Sequence, residues 1–450
     1  MNIAMVSEHA SPLATIGGAD AGGQNVHVAA LSCALAARGN TVTVYTRRDS
    51  AEQDTEVAFA PGVTVVHVPA GPPESIPKDD LLAWMPDFSR WIARRWAASA
   101  PDIAHSHFWM SGLAALAAAR ATGVPVVHTF HALGTVKRRH QGSADTSPRE
   151  RVETETVIAW QADAVIATCS DEVAELNRLR VPRRATHVVP CGVDLAAFTP
   201  AGPAPDLGPG PVLLSIGRPV PRKGVETVVR ALRRVPDATL VVAGGEPGEP
   251  ETARLARIAD ECGVAGRVRF IGRVERSAVP ALMRAATAVI SVPWYEPFGI
   301  VPLEAMACGV PVVASAVGGH LDTVVPGVTG VLVPPRREAV LAGALRGLLA
   351  DPPLLAAYGA AAVERAASRY SWERVAAETS AVYAEVLASR SRTARITAAA
   401  RHPREMSRPR ETSGRAHPAV AVRSPGEAGS AVTVRSLDEG SVPRSGRSLP

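Results

Sequence analysis

Residues 1–47 read MNIAMVSEHASPLATIGGADAGGQNVHVAALSCALAARGNTVTVYTR, and their pattern decides the fold. MNIAMVSE (1–8) is a short apolar run of the buried-strand kind, followed by a glycine-rich turn at 17–23. QNVHVAALSCALAAR (24–38) then carries apolar residues at helical spacing and stops at Gly39, a residue suited to ending a helix. NTVTVYTR (40–47) is β-branched and reads as the next strand. Strand, loop, helix, strand is the unit of a parallel sheet covered on both faces. The rhythm returns in TVVHVP (64–69), DIAHSHF (102–108), PVVHTF (125–130) and DAVIATCS (163–170), and HVVPCGVD (187–194) closes the series.

The segment TPAGPAPDLGPGP (199–211) interrupts it: eight of its thirteen residues are Pro or Gly, so it reads as a linker. The rhythm restarts in VLLSIGR (212–218), TLVVAGG (239–245), RVRFIGRV (267–274), TAVISVP (287–293) and PVVASAVGG (311–319). The prediction is an α/β protein of two Rossmann-like domains, residues 1–198 and 212–370. SWERVAAETSAVYAEVLASR (371–390) is amphipathic and predicts a closing helix that crosses back onto the first domain. From 391 to 450 the chain turns rich in Arg, Ser, Pro and Gly, and a disordered basic tail is expected.

Composition narrows the function. With 450 residues, 46% hydrophobic and 20% charged, the chain has room for two cores and a soluble globular character. It contains no apolar run of about 18 residues and no signal-peptide pattern at its start, which argues against membrane spanning and secretion. Cys33, Cys169, Cys191, Cys262 and Cys308 lie far apart without a Cys-x-x-Cys, so a reducing cytoplasm is the expected setting. The net charge of +5 invites a nucleic-acid partner. Residues 391–450, however, hold 11 Arg against 5 acids, which leaves the rest of the chain at −1. The basic character belongs to the tail, and no nucleic-acid partner is expected.

Three segments carry chemistry. WYEPFGIVPLEAMACG (294–309) spaces Glu296 and Glu304 eight apart around a Pro-Phe-Gly turn. A helix starting near Gly299 would aim free N–H groups at a ligand in the cleft, and both carboxylates could accept from sugar hydroxyls. Two solvated glutamates beside an ordinary helix cap would give the same spacing. SIGRPVPRKG (215–224) brings Arg218 and Lys223 to the C-terminal end of a strand, where a guanidinium fork and an ammonium suit a diphosphate. GGADAGGQNVHV (17–28) sets glycines before a helix N-terminus but lacks the Gly-x-Gly-x-x-Gly directly after the strand, which disfavours a nucleotide-binding oxidoreductase. His105, His107, His128 and His131 gather at two strand ends without a carboxylate motif, so metal binding is disfavoured and no metal is expected. His27 and His320 are further cleft candidates.

Taken together with HSHFWMSG (105–112), HTFHALG (128–134) and VVPCGVD (188–194), these segments resemble the retaining glycosyltransferases of the GT-B fold. The family is glycosyltransferase family 4, which includes sucrose-phosphate synthase and the mycothiol-pathway inositol phosphate glycosyltransferase, and the resemblance spans about residues 1–390. It implies two domains facing across a cleft and transfer of a sugar from a nucleoside diphosphate sugar, UDP- or GDP-linked, to a hydroxyl acceptor. No other cofactor is implied. By resemblance, Arg218 and Lys223 clamp the leaving diphosphate, and Gly22 and Gly23 approach its distal phosphate. Glu304 takes the ribose and Glu296 the donor sugar, which also meets the N–H groups of Phe298, Gly299 and Ile300. Arg273 and Val274 sit at the base, and His131 lies near the reacting carbon. Asn25, Lys78, Phe108 and Arg151 line the acceptor side. The inositol phosphate branch carries a tyrosine where Phe108 stands and a threonine where Ala132 stands. Two hydroxyls are thus missing, and that acceptor, an N-acetylglucosaminyl transfer to inositol phosphate, is the alternative reading rather than the first.

Overall fold

The computed structural model describes residues 1–14 and 22–401; most of the glycine-rich turn at 17–21 and the tail from 402 lie outside the described residues. The first sheet is built from β1 (Asn2–Val6), β2 (Thr41–Arg47), β3 (Glu56–Ala60), β4 (Val63–Val68), β5 (Ile103–His107), β6 (Val126–Thr129), β7 (Ala164–Ala167) and β8 (Thr186–Val188). Their order across the sheet is β3-β4-β2-β1-β5-β6-β7-β8. All pairs are parallel except β3 with β4. The second sheet holds β9 (Val212–Ile216), β10 (Thr239–Ala243), β11 (Val268–Phe270), β12 (Ala288–Ser291), β13 (Val312–Ser315) and β14 (Gly330–Val333) in the order β11-β10-β9-β12-β13-β14, all parallel.

The two-residue period of a strand explains the layering. In β1, Ala4 and Val6 face a core that includes Phe88, Trp96, Trp109 and Phe130. Ile3 and Met5 face the other side, where the helix Gly23–Ala37 lays down Val28, Leu31 and Leu35. The same side receives Val375, Val382, Tyr383 and Val386 from the last described helix, Trp372–Arg401. Each apolar side chain buried there contributes about 1.5–3 kcal/mol, so the returning helix is part of the first domain's core.

The chain crosses between the sheets twice, and the crossings lie side by side. Val193 N–H donates to Tyr370 O at 2.8 Å, and Val193 pairs with Ser371 in a parallel bridge. Trp372 packs onto Gly192 so closely that an added Cβ there would meet its ring at 2.5 Å.

Several sequence expectations change. The closing helix runs on to Arg401, so residues 391–401 are helical where a disordered tail was expected. SRTARITAAAR contains no Gly or Pro, and its Ala and Arg residues favour helix; the Arg-rich composition masked this. The strand expected at 187–194 is laddered only to Val188. The edge strands β3 and β14 were not anticipated: the first is half-exposed and the second only four residues long.

Candidate active site

Both sheets reverse their winding direction once, between β1 and β5 in the first and between β9 and β12 in the second. Crevices open at such switch points beyond the carboxyl ends of the strands. Loops from these two places meet in one cleft. Gly217 and Arg218 follow β9, while Tyr295–Gly299 follow β12; the histidines come from β5 and from the turn after β6.

The helix Ile300–Ala307 begins at Gly299, whose φ of +76° is left-handed, as a glycine cap allows. Pro302 falls in the first turn, where no intrahelical donor is lost. Glycine is required at Gly318 as well: a Cβ there would stand 2.1 Å from the carbonyl of Glu296. The loop carrying Glu296 is thus wedged against the one after β13.

Lys223 Nζ lies 2.6 Å from Glu296 Oε2. Burial pushes the Glu296 carboxyl up, but Lys223 and Arg222 outweigh it and hold it down to about 2. Arg218 is exposed on the same loop system. Glu304 is 2% exposed and paired with Arg276. Burial raises its carboxyl above the usual range, and Arg276 only partly opposes this. Arg273 is well exposed, 3.4 Å from Glu249 and 3.7 Å from Glu246.

The first domain closes on this loop. A Cβ at Gly23 would lie 3.3 Å from Ile300 Cδ1 and 3.5 Å from Phe298 Cδ2, so a side chain there would crowd the Ile300 tip by a few tenths of an ångström. The Phe298 ring also meets His131 at 5.0 Å and His27 at 6.2 Å between centroids. Gln141 Nε2 donates to the Tyr295 hydroxyl at 2.6 Å, and Ser170 Oγ to Asp322 at 2.7 Å. An open pocket remains, with His131, Ala132, Cys169, Glu172, Tyr295 and Glu296 among its walls.

Of the residues expected on the acceptor side, Phe108 has Lys78 Nζ 5.5 Å and the Arg151 guanidinium 5.0 Å from its ring centroid. Arg151 is only 2% exposed, and its guanidinium is engaged by Glu155 at 2.7 Å and by the Ala132 carbonyl at 2.6 Å. Asn25 is also occupied structurally: Oδ1 accepts from Gly22 N–H at 3.0 Å, and Nδ2 donates to Ser11 O at 3.0 Å. Gly22 itself is exposed at the start of the helix Gly23–Ala37. Val274 is half-buried after β11.

Sequence reasoning missed Tyr295 and Glu172. Glu172 accepts from Thr168 N–H (2.7 Å) and Thr168 Oγ1 (2.8 Å) through Oε2, while Oε1 has no partner. Its place in the first turn of a helix reads in sequence as an ordinary capping acid, which hides its burial. Burial pushes its carboxyl up to about 7.

The fold and the placement of these motifs define a glycosyltransferase. Residues 206–365 match the family described as Glycosyl transferases group 1, and residues 21–197 match Glycosyltransferase Family 4. The chain belongs to the family 4 glycosyltransferases of the GT-B fold. It is 41% identical over 404 residues to the D-inositol 3-phosphate glycosyltransferase of Xylanimonas cellulosilytica, covering 85% of this chain and 96% of that one. To the enzyme of the same name from Frankia alni it is 40% identical over 390 residues, covering 82% and 95%. Among solved structures it is similar to sucrose-phosphate synthase from Thermosynechococcus elongatus, with a TM-score of 0.78, 33% identity, and 86% and 99% coverage. Anabaena HepE in complex with UDP-glucose shares the fold, with a TM-score of 0.66 at 21% identity and 86% and 100% coverage. No single helix among the described residues is long and apolar enough to cross a membrane.

Proposed function

We propose that the chain moves a sugar from a nucleoside diphosphate sugar to a hydroxyl acceptor with retention of anomeric configuration. One observation carries the reading: Glu296, paired with Lys223, and His131 line one pocket, while Phe298 and Ile300 from the same loop and helix meet Gly23 of the first domain. Relatives named for glycosyl transfer and a neighbour holding UDP-glucose support it. In this reading Lys223 and Arg218 take the diphosphate, and Glu296 both orients Lys223 and accepts from a sugar hydroxyl. The bond from the sugar carbon to the diphosphate oxygen breaks, the acceptor oxygen bonds to that carbon, and its proton passes to the leaving diphosphate. Positive charge placed beforehand at the diphosphate lowers the barrier, about 2.7–4 kcal/mol for each donor of this kind. Arg218 and Lys223 fill the part a metal plays in other transferases, so no metal or organic cofactor is needed. Five unpaired cysteines suit the cytoplasm.

A phosphorylated inositol is the second reading for the acceptor, favoured by the relatives' names and by Lys78 beside Phe108. Against it stand Phe108 and Ala132, which supply no hydroxyl, and Arg151, whose charge is already matched by Glu155. The test is to incubate the protein with UDP- and GDP-sugars, with and without inositol phosphate. Nucleoside diphosphate release is followed, and the product's anomeric configuration is read by proton NMR. Release with a retained product is expected, with EDTA changing the rate less than twofold. An inverted product, or no release with any donor, would overturn the reading.

A further inference from the structure

We propose that His107 is a positioning residue: it fixes which ring nitrogen of His131 carries hydrogen and leaves Nδ1 of His131 as a bare acceptor in the cleft wall. The assignment follows from three contacts. His107 Nε2 lies 3.3 Å from Met5 Sδ, a thioether that can accept a hydrogen bond and cannot donate one. Nε2 of His107 therefore carries the hydrogen, and its Nδ1 is a lone pair. That lone pair faces His131 Nε2 at 2.8 Å, so His131 must donate from Nε2. In a neutral imidazole only one nitrogen is protonated, and Nδ1 of His131 is left without hydrogen.

Two further facts give this a purpose. His131 Nδ1 is buried with no hydrogen-bond partner, although the residue is among the walls of the pocket. A buried acceptor in that condition is costly unless a ligand completes it. His131 also holds φ at +63°, a left-handed conformation that non-glycine residues seldom adopt. A ring fixed by a strained backbone behind, by His107 at one edge and by Phe298 on one side has little freedom to reorient. Burial holds both imidazoles well below their usual range, so neither is charged near neutral pH. The arrangement makes His131 an acceptor for a hydroxyl of the bound sugar, and it removes His131 as a proton donor in the transfer. This step rests on the glycosyl-transfer reading; the tautomer itself does not.

Selective ¹⁵N-histidine labelling with long-range ¹H–¹⁵N correlation reports the tautomer of each ring directly, and His131→Gln identifies the relevant signals. The whole chain in its unliganded form should show His131 with hydrogen on Nε2. His107→Asn keeps an oxygen acceptor near the Nδ1 position, whereas His107→Gln places its amide near Nε2 and leaves that position empty. The Asn variant should keep the Nε2–H form and stay within about threefold of the parent in kcat/KM for the donor. The Gln variant should show both tautomers and lose about tenfold or more, as loss of one hydrogen bond implies. Hydrogen on Nδ1 of His131 in the parent protein, or an unchanged tautomer in His107→Gln, overturns the proposal. If the tautomer shifts in His107→Gln while kcat/KM does not, His107 still orients the ring, and what falls is the assignment of His131 to the sugar.

Discussion

Lys223 and Glu296 show how one contact serves two states. The ammonium neutralises a carboxylate that burial would otherwise protonate; in the proposed reading a bound diphosphate gives it a second anion to meet. Lys223→Ala and Arg218→Ala should each lower turnover about 100-fold or more, with an unchanged circular dichroism spectrum; normal turnover would remove the clamp assignment. Glu172 answers to pH in the opposite sense from Glu296. Its folded value near 7 lies above the ordinary 4.5, so the folded protein holds a proton there that the unfolded chain has released. Stability is therefore lost as pH rises from about 4.5 to 7, up to about 3 kcal/mol. Glu172→Gln removes that loss. In urea titrations it should exceed the parent by about 2–3 kcal/mol at pH 8 and match it near pH 4.5. Equal gains at both values would show that the effect is not ionisation.

At the scale of the element, the helix Ile300–Ala307 depends on its first residue outside. Gly299→Ala would force a side chain into a left-handed conformation, with its Cβ 3.0 Å from the His320 ring. A loss of about 1–2 kcal/mol is expected, together with a raised donor KM because the N–H groups of Ile300 and Val301 shift. Thermal unfolding and initial-rate kinetics would measure both, and an unaltered KM would separate the helix start from the donor. The sequence was legible where chemistry and periodicity coincide. The strand starts and the Gly299 cap follow patterns of glycine and apolar residues. It was less legible where neighbours decide. Nothing local says that Arg151 meets Glu155 and the Ala132 carbonyl, or that Asn25 bonds Gly22 and Ser11. The pairing of His107 with Met5 spans 102 positions and no local pattern encodes it.

Across the whole molecule, the helix Trp372–Arg401 ties the last described part of the chain to the first. Tyr383 donates or accepts at His105 Nδ1 at 2.7 Å inside the core, and Arg390 holds Asp163 through two contacts of 2.7 and 2.8 Å. Ending the chain at Ser371 would strip the cover from Ile3, Met5, Val28 and Ile103. Such a protein should be insoluble or lack a cooperative thermal transition, even though both sheets remain encoded. A soluble, cooperatively melting product would mean the helix is an accessory and not part of the core.

That return has a consequence in time. A ribosome adds about 5–20 residues per second, so about 190 residues and about 10–40 s separate Phe198 from Val386. Throughout that interval the newborn first domain has its strands but not the helix that shields one face of them. The order of synthesis therefore sets the order of risk, because that face of the sheet stays uncovered until the helix Trp372–Arg401 emerges.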